Sequence, residues 1–320
     1  MKKSKLVLIL LLVVVAIAAI AFVISMKFTG QKHSEPVSHH QTTTTKKVKT
    51  GTSHKDGQID GVKQLIDADL KGMSGDTSAY YYNLKTDKSY QYGTDQTQRA
   101  ASDIKLFILA AAYQNVADGK LDLSSTYTLL ATDKVGGSGS LQQIEPGTQI
   151  SYQDLIKAMI TQSDNTASNI IVKKLGGISA VNREIKRLGM KDTKMQRMLM
   201  DTDKLKQGQD NMTSAQDLGL FLTKLYRHQI VSKTYDDAML KVLSENTNHT
   251  KLPQKVDPSI TTYNKSGEFD DYGVENDAAI FEKGNKAFVI VVLSQNGQLA
   301  QQIPAMNKLG ADLTKLVLED

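Results

Sequence analysis

The chain of 320 residues contains no cysteine. That excludes disulfides and a lipid-modified cysteine anchor, and leaves an exported domain to rely on its own apolar core. Histidine is nearly absent from the part that can fold, where only His228 and His249 lie beyond residue 57. A Ser-His-Asp triad or a histidine-ligated zinc would have to use one of them. Each lies on a polar stretch near a helix end, without a nucleophile elbow or a second ligand at suitable spacing, so both are read as surface histidines. No internal repeat is present. An excess of positive charge also disappears once the chain is divided. The whole carries a formal +5, but residues 1–57 hold nine Lys against two acidic residues, a net +7, which leaves −2 for the remainder. A nucleic-acid partner therefore has little support.

What the N-terminus does contain is a long apolar run. Met1 to Lys5 is basic, Leu6 to Ile24 follows without a polar side chain, and Lys27 closes the segment. This is about the length that crosses a bilayer as a helix, and longer than the usual core of a cleaved signal peptide. Residues 6–26 are read as an uncleaved signal-anchor, with residues 1–5 kept cytoplasmic by their lysines. Everything after it then lies outside, on the cell-wall side of the membrane. Residues 27–57 are Lys, His, Thr, Ser and Gln with almost nothing apolar, including the run Thr42 to Thr45. Such a composition cannot bury enough surface to offset ordering entropy, which predicts a disordered tether. Its His33, His39 and His40 are read as solvated rather than metal-binding.

Residues 58–320 have the length and patterning of one domain. Val62, Leu65, Ile66 and Leu70 have helical spacing. Ser78–Leu84 and Ser89–Tyr92 are predicted strands joined by a polar turn at residues 85–88. A strongly apolar helix spans Ile104–Val116. Ser151 and Asp154 mark a capping-box-like helix start, and two further helices flank Gly176-Gly177, the second ending near Leu188. Residues 190–212 are polar and irregular. Helical patterns return at Ser214–Tyr226 and Asp236–Leu243. Three strands, Thr261–Ser266, Ala278–Glu282 and Ala287–Leu293, precede a helix over Leu299–Leu318. Strands at both ends with helices between them predict an α+β fold, in which an antiparallel sheet from the chain ends carries an inserted helical subdomain.

Three short elements carry the chemistry: Ser102-Asp-Ile-Lys105, Ser163-Asp164-Asn165 and Lys265-Ser266-Gly267. Each is weak alone, as the decoy Lys49-Thr50-Gly51 shows; three in this order are harder to obtain by chance. A lysine three residues after a serine lies one helical turn on, on the same face. It can act as a base once burial and neighbouring charge lower its pKa. A serine at a helix start also feels the helix dipole. The Ser163 hydroxyl can both accept and donate, as a proton relay requires; equally, Ser163 and Asp164 suit a helix cap.

These elements and their flanks, Arg99-Ala-Ala-Ser102, Ala158-Met-Ile-Thr-Gln-Ser163-Asp-Asn-Thr-Ala167 and Gly176-Gly177, resemble the class A β-lactamases and penicillin-binding proteins. The resemblance runs from about residue 58 to the C-terminus. It implies a three-layer αβα arrangement of the α+β fold and a serine enzyme working through an acyl intermediate. Under it Ser102 is the nucleophile, Lys105 its base, Ser163 the shuttle toward the leaving nitrogen, and Lys265 the electrostatic partner of Ser163. Asn165 contacts substrate or the lysine, and Ser266 binds the substrate carboxylate. Gly267 lets substrate lie against the strand, where a side chain would clash. The backbone N–H groups of Ser102 and Glu268 form an oxyanion hole, worth about 3 kcal/mol per donor. The implied substrate is a β-lactam or a D-alanyl peptide-like compound; no metal and no organic cofactor is implied.

Two departures qualify that picture. Hydrolytic members place a water-activating glutamate a few residues beyond a loop arginine; if Arg197 is that arginine, the position falls on Leu199, which cannot activate water. No arginine occurs after Arg227 to meet a substrate carboxylate, with Lys251 a substitute. Three readings stay open: slow deacylation, an efficient β-lactamase using Asp201 or Asp203, and a catalytically silent ligand sensor.

Overall fold

A sheet that is apolar on both faces needs cover on both faces, and that requirement organises the domain. The computed structural model describes residues 53–319. The anchor and most of the tether expected at the N-terminus lie outside the described residues, and among the described residues no helix is long and apolar enough to cross a membrane. Helix α1 (Ser53–Leu70) leads into β1 (Asp76–Asn83), β2 (Ser89–Gly93) and the two-residue β3 (Gln98–Arg99). A 3-10 turn at Ala101–Ile104 runs directly into α2 (Lys105–Ala117). After β4 (Thr126–Thr128) and β5 (Gln149–Ser151) come α3 (Tyr152–Thr161), α4 (Asn165–Lys174), α5 (Ile178–Arg187) and the short α6 (Thr202–Lys206). β6 (Met212–Thr213), α7 (Ala215–Tyr226) and α8 (Lys233–Ser244) follow. The chain closes with β7 (Thr261–Phe269), β8 (Val274–Lys283), β9 (Lys286–Gln295) and α9 (Leu299–Thr314).

The five long strands form one antiparallel sheet in the order β2-β1-β9-β8-β7, so the two chain ends meet where β1 pairs with β9. Side chains alternate strictly across it. Phe288, Ile290 and Val292 of β9 point into a core with Val62, Ile66, Leu309 and Leu313 of α1 and α9. Val289, Val291 and Leu293 point the other way, into a core with Phe107, Phe221 and Leu222 of α2 and α7. This is the expected α+β arrangement of three layers, with the helical segment inserted between the two halves of the sheet. From Lys105 to Tyr113, α2 is buried on every side, as a helix apolar all round must be.

Differences from the expected elements fall where periodicity carries no signal. Helix α1 begins at Ser53, within the stretch read as tether, because residues 53–58 are polar or glycine and precede the apolar stripe, which Ile59 opens. The C-terminal helix changes at Lys315 to a π turn through Glu319. The pairs β3–β6 and β4–β5 are too short to show alternation.

Helix α9 approaches the segment before β7 so closely that a Cβ on Gly310 would lie 1.9 Å from the Leu252 carbonyl oxygen. Backbone cannot yield cheaply there. Gly310→Ala should therefore destabilise the domain by about 1–3 kcal/mol, the usual cost of overpacking. It should appear as a lowered denaturant midpoint with an unchanged m value. An unaltered midpoint would mean that α9 and residue 252 are not held together.

Candidate functional site

The predicted residues converge from three parts of the chain. Ser102 lies in the 3-10 turn and Lys105 is the first residue of α2, so the two are one turn apart as their spacing requires. The turn is fixed from both sides. Behind it, the Ala100 N–H donates to Asn211 O at 2.8 Å. In front, Gly267 of the edge strand β7 packs onto it: a Cβ on Gly267 would stand 3.0 Å from Ala100 O and 3.1 Å from both Ala101 Cβ and Ser102 N. The close approach that demands glycine is thus to the chain's own backbone. It sets the Ser102 amide beside the residue that precedes Glu268.

Lys105 Nζ is the hub. It lies 3.1 Å from Ser102 Oγ, 3.0 Å from Ser163 Oγ, 2.9 Å from Asn165 Oδ1 and 2.5 Å from Ser163 O. Its side chain is fully buried, and that burial, reinforced by the like charge of Lys265, holds its pKa well below the ordinary lysine value. Two non-glycine residues next to the reacting groups adopt left-handed backbone, Ala101 at φ 44° and Ser163 at φ 54°. Each costs about 1–3 kcal/mol, which the packing around them must supply.

Ser163 owes its place to its neighbours. Asp164 caps α4, accepting from Ala167 N at 2.8 Å, and also accepts from Leu141 N at 2.8 Å. Within this tripeptide Asp164 is thus the helix cap, while Ser163 Oγ and Asn165 Oδ1 meet Lys105. Gly139, at φ 101°, leaves room for Asp164, whose carboxylate a Cβ would meet at 2.2 Å. Asn165 Nδ2 donates to Gly136 O at 3.1 Å. The glycine-rich segment at residues 136–139 is thus a wall of the site; its composition was visible in the sequence, its destination was not.

On β7, Lys265 is buried, and burial lowers its pKa. Its Nζ donates to Ser266 O at 2.6 Å rather than to Ser163. Ser266 and Glu268 line, with Ser102 and Ser163, a small cleft that also receives Thr247 and Asn248. Lys251 does not reach that cleft as a free cation. It is 1 % exposed, donates to Gly267 O and Asn276 O at 3.0 Å each, and pairs with Glu275 at 2.6 Å. Its role is to hold β7 from behind. The three motifs give no sign of Asp103. This carboxyl is wholly buried, neither oxygen has a hydrogen bond, and burial raises its pKa. The one available signal was an acid at the head of an otherwise apolar helix. Among the described residues no group of three or more His, Cys, Asp or Glu could hold a metal ion.

The loop containing Leu199 is tied down. Arg197 Nε donates to Asp210 Oδ1 at 2.7 Å, and Asp210 also pairs with Arg99, just before the Ser102 turn. The Leu199 side chain is buried in the main core, and Asn169 clamps its backbone, accepting from Leu199 N at 2.9 Å and donating to Leu199 O at 3.0 Å. Asp201 spends its carboxylate capping α6, accepting from Lys204 N at 3.0 Å. Asp203 is exposed.

Comparison with known proteins agrees with this geometry. Residues 61–317 match the Beta-lactamase enzyme family. The chain is 26% identical over 240 residues to Beta-lactamase ROB-1 of Haemophilus influenzae, covering 74% of this chain and 77% of that protein. It is 25% identical over 242 residues to Beta-lactamase 3 of Bacillus cereus, covering 75% of each. Among solved structures, a beta-lactamase from Sphaerobacter thermophilus aligns with a TM-score of 0.71 at 26% identity, over 80% of this chain and 96% of that one. PBP-A aligns with a TM-score of 0.72 at 25% identity, over 80% and 95%.

The Gly267 contact yields a direct test. Gly267→Ala should push the Ser102 turn by a few tenths of an ångström. Misplacement near a reacting centre costs up to about 10²-fold, so acylation of Ser102 should fall at least tenfold while the melting temperature moves by only a few degrees. An unchanged acylation rate would show that this contact does not position Ser102.

Proposed function

This chain belongs to the beta-lactamase enzyme family, and on that premise we propose that it forms an acyl-enzyme at Ser102 with β-lactams or related D-alanyl peptides and releases it slowly. The observation that carries the chemistry is the position of Lys105 Nζ between two serine hydroxyls. Held below its ordinary pKa by burial, the amine can be neutral and accept the Ser102 proton as Oγ attacks the carbonyl carbon. The Lys105 nitrogen then returns a proton through Ser163 Oγ to the departing nitrogen, and the C–N bond breaks. The Ser102 and Glu268 backbone N–H groups stabilise the oxyanion. Lys265 supplies positive charge behind Ser163, Ser266 meets the substrate carboxylate, and Asn165 contacts substrate while it orients Lys105. Relatives named beta-lactamases support a β-lactam as substrate.

Slow release rests on Leu199. A buried alkyl side chain occupies the loop position where a deacylating base is expected, and neither nearby aspartate is turned to replace it. The apolar run Leu6 to Ile24 supports a further part of the proposal, that the domain is held outside a membrane it does not itself enter.

Two outcomes test the mechanism. Acylation by benzylpenicillin should follow a bell-shaped pH profile: it rises as Lys105 loses its proton, well below pH 10.5, and falls as the buried Lys265 loses its own. Lys105→Ala should slow acylation by about 10²–10⁴-fold and remove the rising limb. A profile that still climbs in that variant would assign the base elsewhere. Separately, Leu199→Glu should speed hydrolysis of the adduct by a similar factor, read as steady-state penicillin consumption. No gain from a folded variant would mean that this position does not face the acyl group.

A further inference from the structure

The cleft wall is made almost entirely of neutral groups: Ser138, Thr161, Gln162, Thr247 and Asn248 beside the serines of the site. One charged side chain lines it, that of Glu268. The three nearby lysines are each 1 % exposed or less: Lys105 and Lys265 are bonded elsewhere, and Lys251, the one that reaches Glu268, is shared with the buried Glu275. Glu268 is 42% exposed and held at one oxygen, Oε1, which accepts from Asn248 Nδ2 at 2.9 Å and pairs with Lys251 at 3.2 Å. Those two partners fix where the carboxylate stands through one of its two oxygens. Burial alone would raise its pKa, but Lys251 and Asn248 outweigh that and hold it below the ordinary glutamate value, so the charge persists at neutral pH.

Strand geometry places this charge with respect to the chemistry. Alternation puts Ser266 and Glu268 on the same face of β7, about 7 Å apart, while Gly267 between them abuts the Ser102 turn. A group attached close to the acyl carbonyl bound at Ser102 therefore comes within reach of Glu268.

We propose that the Glu268 side chain determines specificity, favouring acyl substrates that carry a cationic amino group near the scissile amide over the same substrates without it. The inference rests on the acyl-enzyme reading above and adds the class of substrate. An ammonium set against a half-exposed carboxylate gains a modest preference, about five-fold. A purely anionic substrate gains nothing and meets repulsion.

Ampicillin and benzylpenicillin differ by one α-amino group, which makes them a matched pair for the test. Acylation of the full chain is followed by intact mass with each compound at pH 6, where the amine is charged, and at pH 9, where it is neutral. The ratio of the two rates on one protein cancels any general loss of activity or folding. The expected ratio is about five in favour of ampicillin at pH 6 and near one at pH 9. In Glu268→Gln it should be near one at both, and in Glu268→Lys below one at pH 6. A wild-type ratio of one or less at pH 6, or the same ratio in Glu268→Gln, overturns the proposal while leaving the acyl-enzyme reading intact. If neither penicillin modifies Ser102, the acyl-enzyme reading falls, and this inference with it.

Discussion

Lys105 begins a helix whose next eight residues, Leu106 to Tyr113, are all buried, and its amine is brought within 3.1 Å of the Ser102 hydroxyl. Removing a lysine from water makes the charged form costly, and that cost holds the Lys105 pKa well below the ordinary value, as the proposed role of base requires. Much of the surrounding architecture serves to keep this residue dry and aimed. The sheet carries α2 on one face, β7 seals the Ser102 turn through Gly267, and Asn165, capped into place by Asp164, supplies an acceptor on the far side. Loosening any of these would rehydrate the amine and return it toward its ordinary pKa.

Behind β7 a second buried charge system stabilises the same edge. Lys251 links the Gly267 and Asn276 carbonyls and pairs with Glu275, while Asp277 accepts from Leu252 N and Asn264. Buried charges persist only when paired or hydrogen-bonded, and most of this system obeys that rule. Asp103 is the exception, a buried carboxyl without a hydrogen bond, whose raised pKa follows from burial. The β7 edge of the cleft is therefore held by polar contacts, in contrast to the apolar packing under α2.

The sheet and its helical insertion were legible because both depend on periodicity, which single residues cannot hide: Val289 to Leu293 must alternate between two cores, and α2 must be buried all round. The three site elements were legible because their chemistry needs fixed residue types at fixed spacing. What escaped was set by long-range contact. Nothing local announces that Gly139 makes room for Asp164, that Asn169 clamps Leu199, or that Lys251 turns inward toward Glu275 and away from substrate. Nor does the sequence show that the Lys265 amine is held by its neighbour's carbonyl, Ser266 O. The first turns of α1 were missed for the opposite reason, since a polar helix terminus leaves no pattern to find.

On the proposed mechanism, Ser102 is acylated readily and Leu199 hinders release. The most direct measurement is a time course of intact mass for the protein mixed with benzylpenicillin, with Ser102→Ala alongside. An adduct of one penicillin that depends on Ser102 should form and persist for many minutes. An adduct that disappears within seconds as penicillin is consumed would contradict it, and would mean that a water-activating group reaches the acyl carbonyl despite the buried leucine.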